Sequence, residues 1–390
     1  MKKLINKIFK KTIFYIVLIF LVIIFSVLGL ELFAYIYFID NNKISKITWG
    51  TGDYNNKKGY SEMCAWGWCP RTGVWTSHKN AKLKNGDIIP IYRVTYSIDE
   101  YKRRIHQKKT IRDYVGTINL FGGSFAFGEG LNDNQTINWY LSKFFPNYKI
   151  NNFGFHGYGV QQALYFLEND FTRNHEINIL LTGEYHIVRS TCNSGISYFG
   201  YNPNYCFNCI RKTSFIKDCS SLISKHKYNE NDNWNEEKSI FLNWNASPQW
   251  GADMNIVKII TNTILPILNH MKTSNNQLLY QEMITDFYYE SSLRNSKTLV
   301  AYIQSGGYSS YTFNVSDKTY DWLYFKNFEN IDVTLGKKLN KIDDKYTITN
   351  DGHPSSLANC ERASLISQKL VQINYIQKYN FIDFSCEKYN

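Results

Sequence analysis

The sequence predicts an α/β protein with a parallel sheet covered by helices on both faces, tethered by one N-terminal hydrophobic helix. Three observations predict it. From residue 113 onward, short apolar runs alternate with stretches of helical periodicity, the pattern of a parallel sheet with helical crossovers. The runs end in glycine and polar residues, as strands do where they turn into helices. Thr12 to Leu30 carries no charge and is mostly Ile, Leu, Val and Phe.

That first segment spans roughly 28 Å as a helix at ~1.5 Å per residue, close to the hydrocarbon thickness of a bilayer. Lys2, Lys3, Lys7, Lys10 and Lys11 precede it, and the Tyr35-Ile36-Tyr37-Phe38 stretch has the aromatic character of a membrane interface. The positive-inside rule keeps the N-terminus cytoplasmic and exports everything after Asp40. A cleavable signal peptide is the rival reading, but the apolar run is long for one and lacks a small-x-small cleavage site. Residues 1–40 are therefore read as an anchor, 41–112 as a polar lead-in, and 113–390 as the main domain.

Within the lead-in only Ile88 to Tyr96 reads as a strand. The main domain then runs strand Val115 to Phe121, helix Gln135 to Phe145, strand Tyr148 to Phe153 and helix Gly159 to Phe171. Strand Ile177 to Leu181 follows, apolar except for Asn178, as expected when both faces are covered. Residues 194–250, rich in Asn, Tyr, Cys and Ser, read as an irregular insertion. Asp253 to Met271 resumes helical periodicity, interrupted by Pro266. Strands Lys297 to Ile303 and Ile331 to Leu335 and a closing helix, Leu357 to Ile376, complete the pattern.

Hydrophobic residues make up 44% of the chain, enough for a sizeable core, which excludes a disordered tail. The net charge of +11 is spread along the chain without the concentrated basic stripe of a nucleic-acid binder. All eight cysteines, Cys64, Cys69, Cys192, Cys206, Cys209, Cys219, Cys360 and Cys386, follow the anchor. In an exported domain they read as disulfides, with Cys64–Cys69 and Cys206–Cys209 among the possible short loops. Two close pairs can also form a tetrahedral zinc site, so those four sulfurs are the metal alternative. Nothing in the sequence fixes an oligomeric state.

In parallel α/β sheets, ligands bind beyond the carboxyl ends of the strands. Four polar segments lie at such places. After the first strand, Gly122-Gly123-Ser124 can make a tight turn that exposes a hydroxyl and leaves backbone N–H groups to hold an anion. After the second comes Asn152-Phe153-Gly154-Phe155-His156-Gly157, where glycine can bring a further N–H to the same point; His156 reads as a local hydrogen-bonding residue. After the third comes Gly183-Glu184-Tyr185-His186, with Arg189 three residues beyond His186. Before the closing helix, Asp351 precedes His353 by two residues, an arrangement for an oriented general base. Each segment alone is also an ordinary turn; the four together, in order, point to one site.

With these residues in place, the stretch from about 113 to 377 resembles the SGNH (GDSL-type) hydrolases. Gly122-Gly123-Ser124-Phe125 looks like the family's first block, with Gly123 where aspartate is usual. Asn152-x-Gly154-x-x-Gly157 looks like the second. Gly183-Glu184-Tyr185-His186 occupies the third, with Tyr185 at the position of the oxyanion asparagine. Asp351-Gly352-His353-Pro354 looks like the last, one residue tighter than the usual Asp-x-x-His. The resemblance implies a doubly wound, flavodoxin-like three-layer fold and hydrolysis or transfer of an ester-linked acyl group. It implies Ser124 as nucleophile, His353 as general base and Asp351 as its orienting carboxylate. The N–H groups of Ser124 and Gly157 are the implied oxyanion donors, with Tyr185, His186 or Arg189 as the third. No cofactor or metal is implied.

An exported enzyme of this kind, held at the membrane, would act on an acylated cell-envelope glycan or lipid. Trp66, Trp68 and Trp75 offer stacking surfaces for sugars, or packing against the domain. An O-acyltransferase on the same substrates, a non-catalytic envelope protein reusing the fold, and a metal-dependent hydrolase using His186 and His353 are the alternatives.

Overall fold

The computed structural model describes residues 44–51, 61–64, 66–83, 86–105, 114–183, 185–189, 273–304, 319–335 and 344–386, with scattered positions between 15 and 29. The expected insertion at 194–250, the helix Asp253 to Met271, Glu184 and Cys192, Cys206, Cys209 and Cys219 lie outside the described residues, as does most of the expected anchor. The described positions between Tyr15 and Gly29 are helical. Among the described residues no helix is long and apolar enough to cross a membrane.

The main sheet has five parallel strands. Numbered in chain order with those of the lead-in, they are β7 (Gly116–Gly122), β8 (Tyr148–Asn152), β9 (Ile177–Gly183), β10 (Lys297–Ile303) and β11 (Asn330–Asp332). Their spatial order is β8-β7-β9-β10-β11, every neighbouring pair parallel. Taken in order of appearance this is 2-1-3-4-5, a doubly wound arrangement whose chain direction across the sheet reverses between β7 and β9.

Period-two alternation distributes the strands' side chains over two cores. Ile118, Leu120, Ile179, Leu181, Leu299 and Ala301 face helices α2 (Ile137–Phe144) and α7 (Ser356–Gln372). Phe121, Leu180, Val300 and Tyr302 face α3 (Val160–Glu168) and α5 (Thr273–Leu293). Helix α1 (Ser124–Phe127), α4 (Tyr185–Arg189) and α6 (Thr319–Phe325) are short. Asn178 is tolerated inside β9 because Asn119 Nδ2 donates to its Oδ1 (3.0 Å) and its own Nδ2 donates to Ser291 Oγ (3.1 Å).

The lead-in departs from expectation. Instead of one strand in a polar stretch, it forms an antiparallel sheet of β1 (Ile44–Thr51), β4 (Gly73–Leu83), β5 (Ile88–Ile98) and β6 (Arg104–Ile105), beside a hairpin of β2 (Ser61–Cys64) and β3 (Gly67–Pro70). On β5, Tyr92, Val94, Tyr96 and Ile98 are buried in the same core as α3 and α5. The lead-in is thus packed onto the main domain. Its weak signature has a physical cause: β4 carries His78, Lys79, Asn80 and Lys82 within five residues, which hides the apolar alternation.

Trp66 is packing, as the second of its two readings had it. Its ring lies against Tyr165, Phe166 and Phe171, and Nε1–H donates to Tyr158 Oη at 2.8 Å. Trp75 is half-buried and donates to the Arg71 carbonyl; the Trp68 side chain lies outside the described part. Cys64–Cys69 and Cys360–Cys386 form disulfides. The first commits two of the four sulfurs of the zinc alternative.

Candidate active site

The candidate site lies beyond the carboxyl ends of β7 and β9, at the point where the strand order reverses, as expected for ligand sites in open α/β sheets. Gly122 ends β7 with φ +152°, and a Cβ there would sit 2.5 Å from the Leu181 carbonyl oxygen of β9. Only glycine lets the two strand ends approach so closely and turn at once into α1. Ser124 is the first residue of that helix and is 6% exposed. As a first-turn residue its N–H has no acceptor within the helix.

His353 comes from a tight turn that precedes α7. The Asp351 and Gly352 N–H groups both reach back to the Ile348 carbonyl, and Ile348 N–H donates to the His353 carbonyl. Gly352 adopts φ +84°, which folds Asp351 back beneath the histidine. The positive φ allows a two-residue Asp–His spacing to do what a three-residue one does elsewhere. His353 Nδ1 lies 2.6 Å from Asp351 Oδ2, and His353 Nε2 lies 3.0 Å from Ser124 Oγ. The structure therefore brings Ser124, His353 and Asp351 into one hydrogen-bonded line.

Two charged groups at this line were not singled out from the sequence. Lys79, from β4 of the lead-in sheet, pairs its ammonium with the other carboxylate oxygen of Asp351, whose side chain is fully buried. Glu129, just past α1, puts Oε2 3.2 Å from His353 Nε2, and the same oxygen meets His156 Nδ1. The Glu-Gly pair after Ser124 is ordinary loop sequence, and only the turn back over the strand end gives it its place. Beneath α1, Arg104 is 1% exposed and donates to the carbonyls of Phe127 (2.8 Å) and Gly128 (2.6 Å). It thus satisfies the end of the helix that carries Ser124 and holds it in place.

These neighbours shift the titrations. Burial alone would lower the His353 pKa, but Glu129 and Asp351 overcome it and push it up to about 9. Burial would raise Asp351, yet its hydrogen bond to His353 and the charges of His353 and Lys79 hold it below the usual carboxylate range. Burial would likewise raise Glu129, and His156 and His353 together draw it well below.

The second glycine segment docks on α1. Asn152 Nδ2 donates to the Ala126 carbonyl (2.7 Å), Phe155 N–H to that of Gly122, and a Cβ on Gly154 would sit 2.7 Å from the Phe127 nitrogen. Gly157 lies on this turn, with φ +71°. His156, read as a local hydrogen-bonding residue, instead anchors Glu129. Tyr185 stands one ring away from the histidine: its ring is 5.0 Å from that of Phe125, which is 5.6 Å from that of His353. His186 is fully buried with Nδ1 2.8 Å from Thr182 Oγ1, so its ring is engaged beneath the sheet end. Arg189 ends α4, and its side chain lies outside the described part. Among the described residues no group of three or more His, Cys, Asp or Glu is arranged to hold a metal ion.

No family model and no curated protein matches the chain. Solved structures similar to it include one from Desulfitobacterium hafniense DCB-2 described as a lipolytic protein of the G-D-S-L family. That likeness has 11% identity, 65% of this chain, 99% of that chain and a TM-score of 0.36. A member of the same family from Veillonella parvula DSM 2008 has 10% identity, 66% of this chain, 98% of that chain and a TM-score of 0.32. A carbohydrate esterase family 2 enzyme with a carbohydrate-binding domain, from Corynascus thermopiles, has 10% identity, 86% of this chain, 90% of that chain and a TM-score of 0.36. TM-scores this low do not establish a shared fold, so the functional reading rests on the site's own geometry.

Proposed function

We propose that the chain is a serine ester hydrolase of the SGNH type. The observation that carries this reading is the line Ser124 Oγ–His353 Nε2–His353 Nδ1–Asp351 Oδ2, with separations of 3.0 and 2.6 Å. A gap well beyond ~4 Å between hydroxyl and imidazole would have favoured a non-catalytic reuse of the fold.

Ser124 Oγ attacks the ester carbonyl as its proton passes to His353 Nε2. Asp351 keeps the imidazole in the tautomer with Nδ1–H and stabilises the imidazolium. The proton then moves to the leaving alkoxide, and water repeats the sequence to free the acid. The N–H groups of Ser124 and Gly157 are the proposed oxyanion donors, each typically worth ~2.7–4 kcal/mol of barrier. Tyr185 is the proposed third contributor, acting with Phe125 on the wall of the site, while the engagement of His186 with Thr182 argues against it in that role.

The chain is further proposed to be membrane-anchored through residues 1–40, with its catalytic domain outside the cytoplasm. The long uncharged run and the lysines before it support this. The substrate proposed for such a placement is an acylated envelope glycan or lipid. The test is release of p-nitrophenol from p-nitrophenyl acetate by the full-length protein, compared with Ser124→Ala. Turnover abolished by the substitution supports a serine esterase; equal rates refute it.

A further inference from the structure

The imidazole of His353 has a carboxylate at each nitrogen. Asp351 takes Nδ1, while Nε2 lies between Ser124 Oγ at 3.0 Å and Glu129 Oε2 at 3.2 Å. An ionised carboxylate only accepts hydrogen bonds, so a close approach of Glu129 to Nε2 favours a proton on that nitrogen. A base that is to take the Ser124 proton needs the lone pair there instead. The arrangement is therefore suited to the imidazolium that exists after serine has lost its proton, and opposes the neutral imidazole that must exist before.

Glu129 is held for this role. Its Oε2 meets His156 Nδ1, and the His156 ring is packed 4.6 Å from that of Phe127 and 4.8 Å from that of Phe155. Gly130 N–H donates to Tyr96 Oη (3.0 Å), and Arg104 lies 4.4 Å over the Tyr96 ring. Among the described residues, the charged and titratable groups around His353 are therefore Asp351 and, behind it, Lys79 on one side, and Glu129, His156, Tyr96 and Arg104 on the other.

We propose that Glu129 is a positioning residue for His353: it occupies Nε2 in the resting enzyme, yields that nitrogen to Ser124 for acylation, and sets the pH at which the enzyme becomes active. This inference rests on the esterase reading and deepens it. In acylation the Oγ–carbonyl carbon bond forms while the Oγ–H proton passes to Nε2, which is possible only once Nε2 has given up its resting proton to solvent. Glu129 then faces the new imidazolium and stabilises it. The elevation of His353 to about 9 agrees with this. At pH 7 only about one molecule in a hundred then carries the neutral base, since each unit of pKa is a factor of ten.

The test measures kcat/KM against pH for the full-length protein in detergent, with p-nitrophenyl acetate as probe and Ser124→Ala as blank. The pH titration of the His353 imidazole is followed beside it by NMR, assigned by its loss in His353→Gln. Expected are a wild-type midpoint near 9 in both measurements, and in Glu129→Gln a midpoint lower by about a unit or more, raising kcat/KM at pH 7 roughly tenfold. A residue needed only for structure would lower kcat/KM at every pH without moving the midpoint, and that result overturns the proposal. So does a wild-type midpoint near the ordinary histidine value, which requires no variant to fold. If wild type is no faster than Ser124→Ala at any pH, the esterase reading fails, and the imidazole midpoints still decide the role of Glu129.

Discussion

Gly154→Ala adds one methyl group behind Ser124, the proposed nucleophile. Its Cβ would lie 2.7 Å from the Phe127 nitrogen, 2.8 Å from the Ala126 Cβ and 3.0 Å from the Ala126 carbonyl carbon. These are atoms of α1 itself, close to its backbone, and cannot rotate away. Reaching ordinary contact at 3.4 Å requires the turn and the helix to part by about 0.7 Å. The turn cannot simply lift, because Asn152 Nδ2 holds the Ala126 carbonyl and Phe155 N–H the Gly122 carbonyl. The displacement falls between Ser124 on one side and Gly157 on the other, the two proposed oxyanion donors. A shift approaching 1 Å in such a constellation costs on the order of 10²-fold in rate, and overpacking of this kind costs about 1–3 kcal/mol of stability. The assay is kcat/KM for p-nitrophenyl acetate well below the melting temperature, with a melting curve beside it. Unchanged kcat/KM together with an unchanged melting temperature would refute the claim that this contact sets the site.

Lys79→Met leaves the buried Asp351 carboxylate without its ammonium. The cost in stability is about 2 kcal/mol, less than the ~3–5 kcal/mol of a fully buried pair because Lys79 keeps 15% of its side chain exposed. kcat falls with it, Lys79→Arg retains most of both, and equal melting temperatures for all three proteins would contradict the pairing. Replacing Cys360 and Cys386 together by serine frees a loop spanning 26 residues and is expected to lower stability by about 3 kcal/mol in a urea titration. A loss below about 1 kcal/mol would place the stability of the closing helix elsewhere, in the packing of Ala363, Ile366 and Leu370.

The parallel sheet was legible because β7, β9 and β10 are largely apolar runs that end in glycine or polar residues, and β7 to β10 lie within a few residues of where the sequence puts them. Ser124, Asp351 and His353 were legible for a related reason: each sits in a short turn whose glycines announce a conformation that other residues resist. Even the tight Asp–His spacing has its cause in view, at Gly352. The lead-in sheet was not legible, because β4 lacks the apolar–polar alternation of a half-buried strand: its buried positions are Ser77 and Ala81, and Lys79 turns inward to Asp351. Lys79 was missed with it, since its partner Asp351 is far along the chain. Glu129 was missed for a different reason: a glutamate between two glycines has no local pattern, and only the return of the turn at 348–353 brings His353 to it. His156 was judged by its neighbours in sequence, whereas its role comes from Glu129 across the strand ends.

The most direct test of the central claim is covalent. The full-length protein is treated with a fluorophosphonate, digested, and mapped by mass spectrometry. The expected result is a single phosphonylated residue, Ser124, with labelling abolished in Ser124→Ala and strongly slowed in His353→Gln. Absence of any adduct on Ser124, or labelling of Ser124 that is indifferent to His353, would contradict it.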